Sequence, residues 1–257
     1  MKKILSTVFF AVMIGVFDTA SADVILYDQD FENPNGFVNN GHDVNIYNTV
    51  NSLYGNQPVG FSFAQAYTVE TLLVTGSEAF GTGYSDPAGT AGNYSLGMLG
   101  SRQNDLLGLS FNVGDYDYFN VSIDISSIDL SSYGGTFISD GEVPTFKFTL
   151  YDNPTGTVNT GYGTILDSFE LQGTASAQSV FDWLTGEFSL NTAGNTNGSV
   201  TLQIDLLVGS YAALDNLLIV ASNNQVGSTP APVPEPTTMV LFGCGIAGLA
   251  AVHRRRK

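Results

Sequence analysis

Chemistry in this chain has to be built almost entirely from oxygen atoms. The chain holds two histidines, His42 and His253, and one cysteine, Cys244. His253 lies in a basic tail, so His42 is the imidazole available to the central region. It sits in the polar run Asn39-Asn40-Gly41-His42-Asp43, which reads as a surface loop. A zinc centre of His and Cys ligands, a thiol nucleophile in the central region and an intrachain disulfide all lack their residues. No glycine loop followed by lysine is present to cradle a phosphate. Carboxylates remain, and glycoside hydrolysis needs two of them at a set separation. They are numerous, and none has a diagnostic sequence context. Asp115-Tyr116-Asp117 carries half of a calcium-loop pattern without its glycine and terminal glutamate, and reads as a polar turn before the Phe119 strand. Tyr84, Tyr94, Tyr116, Tyr118, Tyr133, Tyr162 and Trp183 have rings able to stack on sugars. Most of them suit core or cross-strand positions, Trp183 in particular.

Twenty-three of the 24 acidic residues, but only Arg102 and Lys147 of the eight basic ones, fall between Asp23 and Pro236, so this stretch carries a net charge of −21. Such a surface repels phosphate backbones, which argues against nucleic acid as a partner. It suits a hydrated extracellular protein and leaves carboxylates free for calcium.

The elements that would position these groups are strands. The central region is rich in Gly, Ser, Thr, Asn, Tyr and Phe and poor in Lys, Glu and Arg, which disfavours helices. Val121, Ile123 and Ile125 alternate with Ser122, Asp124 and Ser126. Phe146, Phe148 and Leu150 alternate with Lys147, Thr149 and Tyr151, and Val200, Leu202, Ile204 and Leu206 with Thr201, Gln203 and Asp205. Val24–Tyr27, Ala66–Val74, Leu107–Val113, Ile165–Leu171, Trp183–Leu190 and Leu214–Val220 are further strand candidates. Asn33-Pro34-Asn35-Gly36, Ser85-Asp86-Pro87, Ser139-Asp140-Gly141 and Asp152-Asn153-Pro154-Thr155-Gly156 mark turns. About nine or ten half-buried strands predict an all-β antiparallel sandwich, jelly-roll-like, over residues 23–226.

Both ends differ from this domain. Met1-Lys2-Lys3, the apolar run Ile4 to Phe17 and the small residues Ala20-Ser21-Ala22 form the three parts of a secretory signal peptide, residues 1–22, with Ala20 and Ala22 at the positions read for cleavage. At the other end a Pro-rich spacer, 227–236, precedes 16 uncharged residues, Thr237 to Val252, and the tail 253–257. An apolar segment followed by Arg254, Arg255, Arg256 and Lys257 is a stop-transfer pattern and places the tail in the cytoplasm. The segment is short and holds Gly243, Gly245 and Gly248, which predicts a weak or temporary transmembrane anchor. Cys244 reads as a small apolar residue of that helix.

Val233-Pro234-Glu235-Pro236, the Gly-rich apolar stretch and the terminal Arg cluster together resemble the PEP-CTERM sorting signal. The resemblance covers Val233 to Lys257. It implies an exported protein of a Gram-negative bacterium, whose helix a membrane-embedded exosortase removes at the Pro-Glu-Pro segment. It also implies extracellular polysaccharide or matrix proteins of a biofilm as partners. A second resemblance joins Tyr27-Asp28-Gln29-Asp30-Phe31-Glu32 to Ala213-Leu214-Asp215-Asn216-Leu217-Leu218-Ile219, which look like the first and last strands of carbohydrate-binding jelly-roll modules. In those modules carboxylates near the two ends share a structural calcium. Carried over, Glu32 and Asp215 become candidate ligands with Asp30 as a third, a merely solvated pair being the other reading. The expectation is a non-enzymatic surface or matrix protein with a β-sandwich binding domain. An exported carbohydrate-active enzyme on a lectin-like jelly roll is the alternative.

Overall fold

Alternating apolar residues form strands here because each strand can bury one face against a second sheet. The computed structural model describes residues 22–36, 54, 61–66, 69–74, 84–99, 105–128, 143–158, 160–175, 177–209 and 211–228. These hold eleven strands: β1 (Val24–Gln29), β2 (Ser62–Ala66), β3 (Val69–Leu73), β4 (Tyr94–Met98), β5 (Leu106–Asn112), β6 (Tyr118–Ser127), β7 (Thr145–Asp152), β8 (Ile165–Gln172), β9 (Leu184–Asn191), β10 (Ser199–Val208) and β11 (Ala212–Ser222). All belong to one unit, Asp23–Thr229. The signal peptide up to Ser21 and the sorting segment with its apolar stretch and tail lie outside the described residues, as do His42, Arg102 and Tyr133. Among the described residues no helix is long and apolar enough to cross a membrane.

The strands form two antiparallel sheets. The first runs β3-β4-β11-β6-β9, with β1 also paired to β11, and the second runs β2-β5-β10-β7-β8. The architecture is the expected all-β antiparallel sandwich. Two strand readings need correction. The run Ala66–Val74 is divided between β2 and β3, which belong to different sheets, and β4 carries no period-two signal because Gly97 has no side chain and Ser95 is buried. The strand count is correspondingly higher than expected.

Between the sheets lies the main core, with Phe119, Val121, Ile123 and Ile125 of β6 facing Phe146, Phe148 and Leu150 of β7 and Val200, Leu202, Ile204 and Leu206 of β10. Phe188 of β9 reaches Phe148 at 4.7 Å and stacks on Phe169 of β8 at 4.4 Å, closing one edge of the sandwich. A second, smaller cluster of Leu72, Val74, Tyr84, Phe181, Tyr211 and Ala213 includes Ala213, a neighbour in β11 of core-facing Ala212 and Leu214. Trp183 packs at its margin, stacked 5.2 Å from Phe181. The C-terminal half of β6 is therefore buried at every residue from Ile123 to Ser127, although its first half alternates as the sequence predicts.

Candidate functional site

β11 is the hub of the first sheet, and its irregularity makes the site. On one edge it pairs with β6, Asp215 opposite Asp124, then slips so that Leu218 faces Ser122. On its other edge β4 pairs with Ala212 to Leu214, and β1 takes over at Leu217. The bulge at Asp215-Asn216 thus lies where β1 ends and β4 begins. Asn216 adopts φ 47°, and Phe31, just beyond β1, adopts φ 55°. A bulky residue in the left-handed region is uncommon and needs surrounding support. Phe31 has it: its amide donates to Gln29 Oε1 at 2.9 Å, and its buried ring meets Tyr54 edge-on at 5.2 Å.

This turn delivers Glu32 across the start of β4. Oε1 accepts from the amides of Asn93 at 2.7 Å and Tyr94 at 2.9 Å, and Oε2 accepts from Asn93 Nδ2 at 3.0 Å. Gly92, at φ 61°, is required here, because a Cβ would come within 2.6 Å of Glu32 Oε1. Asp30 Oδ1 accepts from the Glu32 amide at 3.1 Å. Across the bulge, Asn216 Nδ2 donates to Asp124 Oδ2 at 2.8 Å and to the Thr90 carbonyl at 3.3 Å, while Thr185 Oγ1 donates to Asp124 Oδ1.

Asp215 stands apart. It is fully buried, its Oδ1 accepts from the Asn216 amide at 2.6 Å, and its Oδ2 has no partner among the described residues. Burial pushes its carboxyl up to about 8, the Asn216 amide opposes the shift, and Glu32, Asp124 and Asp30 add to it. The phenol of Tyr54, bonded to Thr71 Oγ1 at 2.9 Å, is likewise raised by burial, with Asp215 contributing. The two termini of the sandwich thus bring Glu32, Asp215 and Asp30 into one electrostatic neighbourhood, and Asp124, Asn216, Gly92 and Asn93 complete it. Asp124 appeared in the sequence as a residue on the polar side of β6; only strand register sets it opposite Asp215.

A calcium ion prefers 6–8 oxygen ligands. Asp215 Oδ2 is a buried, unpartnered oxygen suited to one, whereas every oxygen of Glu32 and Asp124 already accepts a hydrogen bond. Among the described residues no group of three or more carboxylate, histidine or cysteine side chains is arranged to hold a metal. Carbonyl groups, such as that of Thr90, would have to supply much of a shell.

Two other polar regions are built differently. The loops joining β5 to β6 and β9 to β10 enclose a cleft of about 300 Å³ that includes Asp115, Tyr116 and Asp117. On the outer face of the second sheet, Asp205 of β10 lies opposite Lys147 of β7, which lies opposite Glu170 of β8. Gln203 Nε2 donates to both oxygens of Asp205 at 3.0 and 2.9 Å. Burial raises the Asp205 carboxyl, and the Gln203 amide and the Lys147 charge counteract it. Of the candidate aromatics, Tyr84 is in the core, Tyr94, Tyr116 and Tyr118 are half-buried and Tyr162 is exposed.

Residues 232–256 match the model of the PEP-CTERM protein-sorting motif. The chain carries a PEP-CTERM sorting motif. It marks an exported protein sorted to the cell envelope, and it occupies the C-terminal end alone. No curated protein matches the chain. Among solved structures, the chain is similar to the K3 cleaved adhesin domain of Lys-gingipain from Porphyromonas gingivalis, at 11% identity and TM-score 0.40, over 77% of this chain and 99% of that one. It is also similar to the CBM22-1 xylan-binding domain from Paenibacillus barcinonensis Xyn10C, at 16% identity and TM-score 0.40, over 79% and 99%. A third is the C-terminal family 22 carbohydrate-binding module of Clostridium thermocellum Xyn10B, at 15% identity and TM-score 0.36, over 75% and 98%. These likenesses concern overall shape.

Proposed function

We propose that this PEP-CTERM protein is a non-catalytic surface protein of a Gram-negative bacterium, whose β-sandwich binds extracellular polysaccharide or matrix proteins of a biofilm. An exosortase-like enzyme cuts the chain near Val233-Pro234-Glu235-Pro236 after the signal peptide has been removed, and the apolar segment holds it in the membrane until then. The sorting motif at 232–256 carries this reading. Charge supports it, since a stretch with only Arg102 and Lys147 as cations and 23 acidic residues suits a wet extracellular setting and neutral partners. A calcium ion beside Asp215, with Asp30, a Glu32 oxygen released from its hydrogen bonds to the start of β4 and backbone carbonyls as further ligands, would hold the first and last strands together. Intact-mass measurement on protein from its native host, split into membrane and extracellular fractions, tests the processing. Loss of Met1–Ala22 and of everything beyond about Pro236 is expected. Retention of Thr237–Lys257 in the membrane fraction would leave an ordinary anchored protein and defeat the exosortase reading.

A further inference from the structure

From the cleft at the end of the sandwich we infer a binding site for one or two sugar rings that carry hydroxyl groups and no acid group, held by Asp115 and Asp117. The inference rests on the polysaccharide-binding reading and gives it a place.

The cleft is pre-formed. The Val113 amide donates to the Gly198 carbonyl at 2.7 Å and the Thr192 amide to the Asp117 carbonyl at 3.0 Å, so the two loops are tied to each other. Thr192 Oγ1 donates to the Tyr116 carbonyl. Asp152, at the end of β7, fixes the far wall by accepting from the Thr196 amide at 3.1 Å, from Thr196 Oγ1 and from Asn195 Nδ2 at 3.2 Å.

These ties engage most of the donors on the lining. The Gly114 amide goes to Asn112, the Asp117 amide to Asn223, the Ala193 amide to Asn191, the amides of Asn197 and Gly198 to Asn195, and Asn197 Nδ2 to the Pro154 carbonyl. Among the described residues the exposed carboxylates of Asp115 and Asp117 have no hydrogen-bond or ion-pair partner. The site therefore offers strong acceptors and few free donors, and its complement is a ligand rich in donors. Sugar hydroxyls meet that need, and a carboxylate with two oxygens accepts two of them at once. An acidic sugar is repelled. Gly114, Gly194 and Gly198 allow close approach of a ring, and about 300 Å³ is at the lower end of ligand pockets, which limits the occupant to a ring or two. A calcium ion fits less well: no metal-holding side-chain group is present among the described residues, and the Tyr116, Asp117, Thr192 and Gly198 carbonyls already accept hydrogen bonds.

The test titrates the full-length chain with neutral hexose trisaccharides and with trigalacturonate, followed by calorimetry and by amide chemical shifts, in calcium and in EDTA. Saturable binding of a neutral trisaccharide is expected, with the shifts centred on residues 114–117 and 192–198 and unchanged by EDTA. Asp115→Asn and Asp117→Asn should each weaken it about tenfold, as loss of one charge-assisted hydrogen bond does. Ala193→Trp, which fills the cleft and keeps both carboxylates, should abolish it. Neutral-sugar binding that survives all three substitutions overturns the assignment to the cleft and leaves the polysaccharide reading standing. Binding that requires calcium, or a preference for trigalacturonate, overturns the proposed chemistry. Absence of any sugar binding removes both the site and the reading beneath it.

Discussion

Replacing Asp215 by Asn should stabilise this protein at alkaline pH in the absence of divalent cations, although the residue is fully buried. The carboxyl has a folded-state pKa of about 8 against 3.8 for the free group. Because the folded value is the higher one, the folded chain keeps a proton that the unfolded chain loses. The penalty is absent below about pH 4, grows between there and about pH 8, and is complete above. At pH 7 the folded chain stands about three units above the unfolded pKa, and at about 1.4 kcal/mol per unit this amounts to about 4 kcal/mol. The asparagine keeps a side-chain oxygen to accept from the Asn216 amide and carries no charge beside Glu32, Asp124 and Asp30, so it removes the penalty. For a domain of this size, 1 kcal/mol moves Tm by about 2–4 °C, which gives a shift on the order of 10 °C. The assay is thermal unfolding of wild type and Asp215→Asn at pH 5, 7 and 9, in EDTA and in calcium. In EDTA the variant should unfold only a few degrees above wild type at pH 5, where the same arithmetic leaves less than half of the penalty, and well above it at pH 9. In calcium the wild type should gain Tm at pH 7 and 9 while the variant does not. A variant less stable than wild type at every pH in EDTA would refute the electrostatic argument. Equal responses of both proteins to calcium would remove the ion from the node.

Two further substitutions probe the sandwich. A Cβ at Gly186 of β9 would lie 2.3 Å from Leu171 Cδ2, so Gly186→Val should lower stability by about 1–3 kcal/mol, and adding Leu171→Ala should return part of it in a denaturant titration. Lys147→Met removes a charge that lowers the Asp205 carboxyl, so Asp205 should titrate at higher pH in a carboxyl-carbon NMR titration; an unchanged titration would show that Lys147 does not act on it.

The sequence makes the sandwich legible where strands obey a single burial rule. β7 and β10 do so, because one set of alternate residues, Phe146, Phe148 and Leu150 with Val200, Leu202, Ile204 and Leu206, fills the core. The pattern fails where a face is covered twice. Asp124 and Ser126 look like solvent-facing residues of β6 but are buried, because a second cluster sits near that end of the sheet. It fails again at β4, where Gly97 contributes no side chain to count. The candidate node is legible only in part for a related reason. Glu32 and Asp215 are apparent from the ends of the domain, but nothing local in the chain predicts that Asp215 will oppose Asp124. That pairing is a product of register between strands about 90 residues apart in sequence, fixed by hydrogen bonds between strands.

The position of that node has a consequence for the order of folding. β11 pairs with β1, β4 and β6, so the first sheet lacks its central strand until Ala212–Ser222 is available. Contacts between β1 and β11 join opposite ends of the domain, and such non-local pairings form slowly because the intervening loop must be closed first. β11 ends only a few residues before the Pro-rich spacer that leads into the sorting motif. The last of the described strands to emerge during export is thus the one that unites the sheet, and its docking buries Asp215 with Oδ2 lacking a partner among the described residues. A proton or a cation captured there would act after β1, β4 and β11 have met, stabilising the closed sheet against unfolding more than it speeds closure. Whichever of the two is captured, its effect should therefore be found mainly in the unfolding rate.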